Sequence, residues 1–193
     1  MTLAERLRGA FAADAVLPPL EGDLPDLRAD AATPAAVLIA ITDRPNPGVL
    51  LTVRHERLRT HAGQIAFPGG RLDPGEDSIG GALREAQEEL GLDRSGVDVA
   101  GSIARYRTVT GFVITPVVGV IAPDLPLRPH EPEVADWFEA PLAFLIDPAN
   151  HFRRSALLHG VERHYYEIPW EGRRIWGATA AIIVNLSRRL QWS

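Results

Sequence analysis

Leu3, Leu7 and Phe11 recur every four residues among polar neighbours, and this spacing predicts a short amphipathic helix from Thr2 to about Ala13. A Pro- and Asp-rich stretch, Leu17–Pro34, follows and reads as an arm or linker. "AAVLIAIT" and "GVLLTVR" are strand-like runs separated by the turn "DRPNPG", which predicts a hairpin. The segment 60–71 is irregular and rich in glycine. After it, Ile79, Leu83, Ala86 and Leu90 fall at i, i+4, i+7 and i+11 and predict the apolar stripe of a helix. Asp77 or Ser78 can cap its start, and Gly91 can end it in a left-handed conformation. "VDVAGSIARYRTVT" and "FVITPVVGVIA" read as strands, and "DLPLRPHEPEV" as a proline-punctuated loop. "VADWFEAPLAFLIDP" reads as a strand leading into a short helical turn, and "RHYYEIPWEGRRIWG" as a hairpin. "ATAAIIVNLSRRLQW" reads as a closing helix in which Ala180, Ile183, Val184 and Leu186 make only a rough apolar face. Strands and helices interleave with too few βαβ units for a doubly wound sheet, so the class is mixed α+β. The expected division is an N-terminal helix and arm at 1–34 and one domain at 35–193.

Composition narrows the chemistry. At 193 residues and 46% hydrophobic, the chain can bury a full core without a metal or disulfide staple. The absence of cysteine removes thiolate nucleophiles and Cys-type zinc sites, and fits a reducing cytosol. A formal net charge of −5 argues against a general nucleic-acid binder while leaving room for a local basic pocket. The first residues lack a secretion signal's cationic start and apolar core. The longest apolar runs, Ala35–Ile41 and Val113–Ala122, fall far short of the roughly 20 residues needed to cross a bilayer. A cytoplasmic protein without a membrane partner is expected; the oligomeric state is left open.

The charged positions of the central helix are less ordinary. Glu85, Glu88 and Glu89 occupy i, i+3 and i+4, so they share one side of the helix, where like charges repel by a few tenths of a kcal/mol per pair. A solvated acidic face is the bland explanation. A hard divalent cation is the chemical one, since magnesium prefers oxygen ligands and keeps waters that a phosphate can replace. Just upstream, "FPGG" (Phe67–Gly70) can bring backbone carbonyls and amides close to such an ion, and Arg84 can orient Glu85 by a forked hydrogen bond. Gly80 and Gly81, inside the helix, read as a site of close packing on a sheet.

Gly70, Glu76, Arg84, Glu85, Glu88, Glu89, Gly91 and Leu92 fit the pattern G-x5-E-x7-R-E-U-x-E-E-x-G-U, with U aliphatic, at every fixed position; Ala86 is small where Ile, Leu or Val is usual. The stretch thus resembles the Nudix box. The resemblance implies a Nudix fold, a mixed β-sheet sandwiched between α-helices with the box as loop–helix–loop. It also implies hydrolysis of a nucleoside diphosphate derivative with Mg2+ or Mn2+. Glu85 and Glu89 would be the principal metal ligands, Glu88 a third, and Gly70 a backbone-carbonyl ligand. Arg84 would hold Glu85, and Glu76 would support the site through a salt link. The general base would lie inside the box or in a later loop, where Glu131 and Glu133 of "HEPEV" are the candidates.

The preceding stretch, Leu50–Gly70, resembles the motif before the box in coenzyme A pyrophosphatases, L-L-T-x-R-(S/A)-x3-R-x3-G-x3-F-P-G-G. Leu50, Leu51, Thr52, Arg54, Arg59, Gly63 and Phe67 to Gly70 match, and His55 stands where Ser or Ala is usual. The resemblance extends from about Val37 to Leu186. It implies cleavage of coenzyme A, or an acyl or oxidised derivative, to 3′,5′-ADP and 4′-phosphopantetheine or its derivative. Arg54, Arg59, Gln64, Phe67 and Gly69 are the candidate substrate-binding residues. Arg54 and Arg59 suit the extra 3′-phosphate because a guanidinium forks onto phosphate oxygens. Gln64 could bond substrate or brace its loop, and His61 reads as a local hydrogen-bonding residue. The alternatives are a Nudix hydrolase for ADP-ribose or an oxidised nucleotide, and a non-catalytic Nudix module that senses a nucleotide.

Overall fold

The computed structural model of the protein describes residues 1–13, 18–23, 32–58, 61–158 and 160–190. Arg59, half of the expected arm and the end of the expected closing helix therefore lie outside the described residues.

Helix α1 (Leu3–Ala12) begins at a capping box, in which the Thr2 hydroxyl accepts from the Glu5 N–H and the Glu5 carboxylate accepts from the Thr2 N–H. Leu3 and Leu7 are buried in the main core, and Phe11 packs against it. Strands β1 (Thr33–Thr42) and β2 (Gly48–Arg54) are antiparallel, yet their register meets only at Ile41 and Val49. The expected hairpin is thus closed at its turn and forked beyond it. Two short strands fill the fork: β3 (Ile65–Ala66) pairs with β2, and β4 (Gly69–Arg71) pairs with β1. The other edge of β1 runs parallel to β7 (Phe112–Ile121) along its whole length. Strands β5 (Val97–Ser102) and β6 (Tyr106–Arg107) flank β7, and β8 (Val134–Pro141) flanks β2. The sheet is therefore mixed, as expected.

Alternation along β1 divides the interior. Ala36, Leu38 and Ala40 face helix α2 (Ser78–Leu90) and its Ala82 and Ala86. Ile39 and Ile41 face the opposite side, where α1, α3 (Leu142–Ile146) and α4 (Gly177–Arg189) pack. A second antiparallel sheet lies on this side too, made of β9 (Phe152–Leu158), β10 (Val161–Trp170) and β11 (Arg173–Trp176), with Ile168 and Ile175 in the core. The β10–β11 hairpin matches the sequence reading, but β9 has no strand-like alternation to announce it. Its residues 152–157 are all exposed, so polar and charged positions carry no cost there.

Helix α4 is buried from Thr179 to Ser187, which explains the rough apolar face: a helix covered on all sides has no need of a stripe. Its polar groups are paired. Thr179 donates to the Ile65 carbonyl, and Asn185 exchanges two hydrogen bonds with the Leu20 backbone, pinning part of the N-terminal segment to the core.

Two glycines with opposite surroundings give a direct test. A Cβ at Gly69 would overlap the backbone of Ala36 and Val37, whereas one at Gly9, in α1, would meet nothing within 4 Å. Gly69→Ala should cost at least about 1–3 kcal/mol as overpacking, and Gly9→Ala should add about 0.5–1 kcal/mol by helix propensity. Denaturant midpoints at constant m-value will measure both.

Candidate active site

Helix α2 is launched by Asp77, whose carboxylate accepts from the Gly80 N–H at 2.7 Å, and is stopped by Gly91 at φ 67°. Its buried face differs from the expected stripe. Ile79 is 41% exposed, while Gly81, Ala82, Ala86, Glu89 and Leu90 are buried. Small residues let the helix lie close on β1. The two glycines serve another contact than the one expected. A Cβ on Gly81 would overlap Leu72 and crowd the Glu76 carboxylate, so the glycine makes room for the preceding loop, not for the sheet.

That loop delivers Glu76 to Arg84. The Arg84 guanidinium donates to both Glu76 oxygens at 3.0 Å, to Glu85 at 2.8 Å, to Glu88 at 3.1 Å and to the Arg71 carbonyl at 3.0 Å. Sharing one cation lowers the Glu76 pKa chiefly through the Arg84 hydrogen bond, and the Arg84 pKa rises chiefly through the same bond.

The three helix glutamates have different surroundings despite their common spacing. The Glu88 side chain is 58% exposed and that of Glu85 16%, while Glu89 is 4% exposed as a residue. Burial raises the Glu85 pKa, with the Arg84 bond acting against it and the charges of Glu88 and Glu133 adding to it. Burial pushes Glu89 up to about 8. The Gly69 N–H, 3.3 Å away, and the charge of Arg54 oppose the rise, and the charges of Glu85 and Glu133 reinforce it.

The loop 128–134 is bolted over the end of α2. Arg128 and His130 donate their N–H groups to the Leu90 and Glu89 carbonyls at 2.7 and 2.8 Å, taking up two acceptors that a helix end leaves open. Glu133 accepts from the His55 N–H through its carbonyl at 2.8 Å. The structure thus brings Glu133 of the loop to Glu85 and Glu89, with His130 3.6 Å from its carboxylate.

Arg54 ends β2 on the same side, and its Nε is buried without a hydrogen-bond partner among the described residues. Gln64 lies across from it and is engaged by His61, Nδ1 to Oε1 at 2.9 Å. Phe67 is 3% exposed and sits in the main core, away from solvent. Gly69 offers its N–H to Glu89, and Gly70 lies so close to Glu85 that a Cβ would collide with the carboxylate.

As they stand, no three acidic or imidazole groups among the described residues close around one point, because Arg84 holds Glu85 and Glu88. The donor set still suits a hard divalent cation. It consists of carboxylate and carbonyl oxygens, and its buried member, Glu89, is offset among the described residues by one long backbone hydrogen bond and the charge of Arg54. Glu85, Glu88, Glu89 and the Gly70 carbonyl are the groups that could hold the ion.

Residues 32–159 match the NUDIX domain family, and the chain belongs to it. It is a Nudix hydrolase, acting on pyrophosphate bonds of nucleoside diphosphate derivatives, a class that generally uses divalent metals such as magnesium or manganese. The uncharacterized Nudix hydrolase NudL of Escherichia coli O6:H1 is 46% identical over 158 residues, spanning 81% of this chain and 82% of that protein. NudL of Shigella boydii serotype 18 is similar to the same extent, 46% over 158 residues with the same coverage. Among solved structures, the Nudix hydrolase RenU of M. smegmatis shares 24% identity at a TM-score of 0.51, covering 66% of this chain and 76% of its own. A C. elegans Ap4A hydrolase binary complex shares 19% at a TM-score of 0.50, covering 56% and 80%. These two likenesses concern the fold. No helix among the described residues is long and apolar enough to cross a membrane.

Glu89 sets a pH signature. Its folded pKa of about 8 lies above the ordinary 4.5, so the folded state holds the proton longer than the unfolded chain. Metal-free protein should lose stability as pH rises from about 4.5 to about 8. Added Mn2+ should raise the thermal midpoint more at pH 8.5 than at pH 6, where the proton competes with the ion. Glu89→Gln should be more stable than the parent without metal at about pH 8.5, and should lose most of the manganese-dependent shift. Thermal unfolding with and without chelator checks all three.

Proposed function

We propose that the enzyme hydrolyses coenzyme A, or an acyl or oxidised derivative, to 3′,5′-ADP and 4′-phosphopantetheine or its derivative. The observation that carries this reading is the Leu50–Gly70 stretch and its resemblance to the coenzyme A pyrophosphatase motif. Arg54 of that stretch supports it, being an arginine whose buried Nε, beside the acidic site, has no partner among the described residues. A guanidinium so placed is ready to fork onto a phosphate.

Each residue then has a role. Glu85, Glu88, Glu89 and the Gly70 carbonyl hold the divalent ion, magnesium or manganese. When bound, that ion neutralises diphosphate oxygens and acidifies water. Arg84 fixes the direction of Glu85 and is itself fixed by Glu76. Glu133, which the loop brings to Glu85 and Glu89, takes the proton from the attacking water. Water attacks one phosphorus in line with the bridging oxygen, which leaves as part of the second phosphomonoester. Arg54 orients the phosphates and offsets their charge, and Gly69, lying tight against β1, presents its backbone N–H beside Glu89.

Turnover of coenzyme A with magnesium, followed by identification of products, tests the reading against 3′-dephospho-coenzyme A and ADP-ribose. Coenzyme A should be preferred, with 3′,5′-ADP as a product. Glu85→Gln should lower kcat by about two orders of magnitude or more, and Arg54→Ala should raise KM for coenzyme A by about tenfold. Faster hydrolysis of ADP-ribose than of coenzyme A would reject the assignment.

A further inference from the structure

The segment that leads back from the end of β2 carries a strained residue for which the proposed chemistry has no role. His61 adopts φ 58°, in the left-handed region that few side chains enter, although histidine tolerates it better than most. Two residues on, Gly63 at φ 68° donates its N–H to the Arg54 carbonyl at 3.0 Å, while Arg54 donates its own to the Gln64 carbonyl at 2.9 Å. Two residues thus face one across the ladder, with the first a left-handed glycine, which is the glycine form of the β-bulge. Bulges of this kind re-aim side chains, and they gather beside active sites.

Its register identifies the side chain that is aimed. Thr52 pairs with Ala66 and Val53 with Ile65, so Gln64 is the counterpart of Arg54. Directly opposed residues point to the same face of a sheet, and Leu50, two pairs earlier in the alternation, packs on the α2 side. Gln64 therefore stands beside Arg54 on the face where Glu89 and Glu133 lie. The Gln64 amide oxygen is 2.9 Å from His61 Nδ1, which carries the exposed imidazole to that face. With the Nδ1 hydrogen given to the Gln64 amide oxygen, Nε2 has a hydrogen to offer a phosphate oxygen when the ring is an imidazolium, and no described residue bonds it.

We infer that His61 is a specificity residue, whose imidazolium donates its Nε2–H to the substrate's phosphate outside the scissile bridge, with Gln64 as the positioning residue that holds the ring. Strain at His61, the bulge and the Gln64 bond then serve one end: a second polar contact next to the Arg54 guanidinium. The inference rests on the coenzyme A reading, for which that outlying group is the 3′-phosphate.

Wild type, His61→Asn, His61→Gly and Gln64→Ala are compared for kcat/KM on coenzyme A and on 3′-dephospho-coenzyme A. Asparagine and glycine both accept a left-handed backbone, so these variants remove the imidazole without adding strain, and thermal midpoints at or above the parent's confirm the fold. Each should lose about tenfold on coenzyme A, mainly through KM, with the dephospho substrate unchanged. Gln64→Ala should shift the same ratio by a smaller factor. A substrate ratio unchanged in His61→Asn overturns the inference while leaving the coenzyme A activity standing. Equal losses on both substrates also overturn it, since they tie the ring to the diphosphate or to the loop. A wild-type enzyme that fails to cleave coenzyme A, or ignores its 3′-phosphate, removes the functional reading and this inference together.

Discussion

The Arg84 guanidinium holds the acidic end of α2 together. Converging carboxylates on one helix repel, and without a cation among them the helix would lie against β4 and β1 only at a cost. Arg84 answers this by spreading five donors over Glu76, Glu85, Glu88 and the Arg71 carbonyl. Its reach depends in turn on the preceding loop coming close to the helix, and that closeness depends on Gly81, where a side chain would overlap Leu72. A glycine in mid-helix weakens the helix by about 1 kcal/mol relative to alanine. The position is used for fitting the loop.

Of the three helix glutamates, Glu89 is the one that Arg84 leaves alone. It is buried under the loop 128–134, with a long bond from the Gly69 N–H and three carboxylate or guanidinium neighbours that pull its proton affinity in opposite directions. A carboxylate kept dry and incompletely paired is a liability for stability and an asset for a site that takes a cation. The fold therefore gives up stability at the place where the proposed chemistry needs charge, and keeps its apolar interior on both sides of β1 complete. A forked β1–β2 pair makes that possible, because the short strands in the fork bring the Gly69–Gly70 backbone against the helix without a long loop.

Parts of the site were legible along the chain. Spacing alone placed Glu85, Glu88 and Glu89 on one side of a helix, and the fixed positions of the box supplied Gly70, Glu76 and Arg84 as their companions. Helix ends at Asp77 and Gly91 followed from local capping chemistry. Other parts were misread or missed. Periodicity puts Ile79 in the buried stripe because spacing cannot tell a hydrophobic residue facing a neighbour from one facing water. The β9 strand was missed because its exposed residues need not alternate, and the polar positions of α4 blurred its stripe because each is satisfied by a carbonyl or amide far away in the chain.

The amino-acid sequence by itself determined the box, its helix, the longer strands of the central sheet and the acidic character of the site, whereas β3 and β4 lie in a stretch that reads as irregular. What it determined is governed by short-range spacing, backbone preference and hydrophobic period, all of which act over a few residues. Tertiary structure alone decided that Glu89 loses its water while Glu88 keeps it, that Glu133 is the loop acid drawn to them, and that Gln64 and His61 stand beside Arg54. Those outcomes turn on desolvation and on strand register, which are set by neighbours distant in the chain and cannot be read from any one stretch of it.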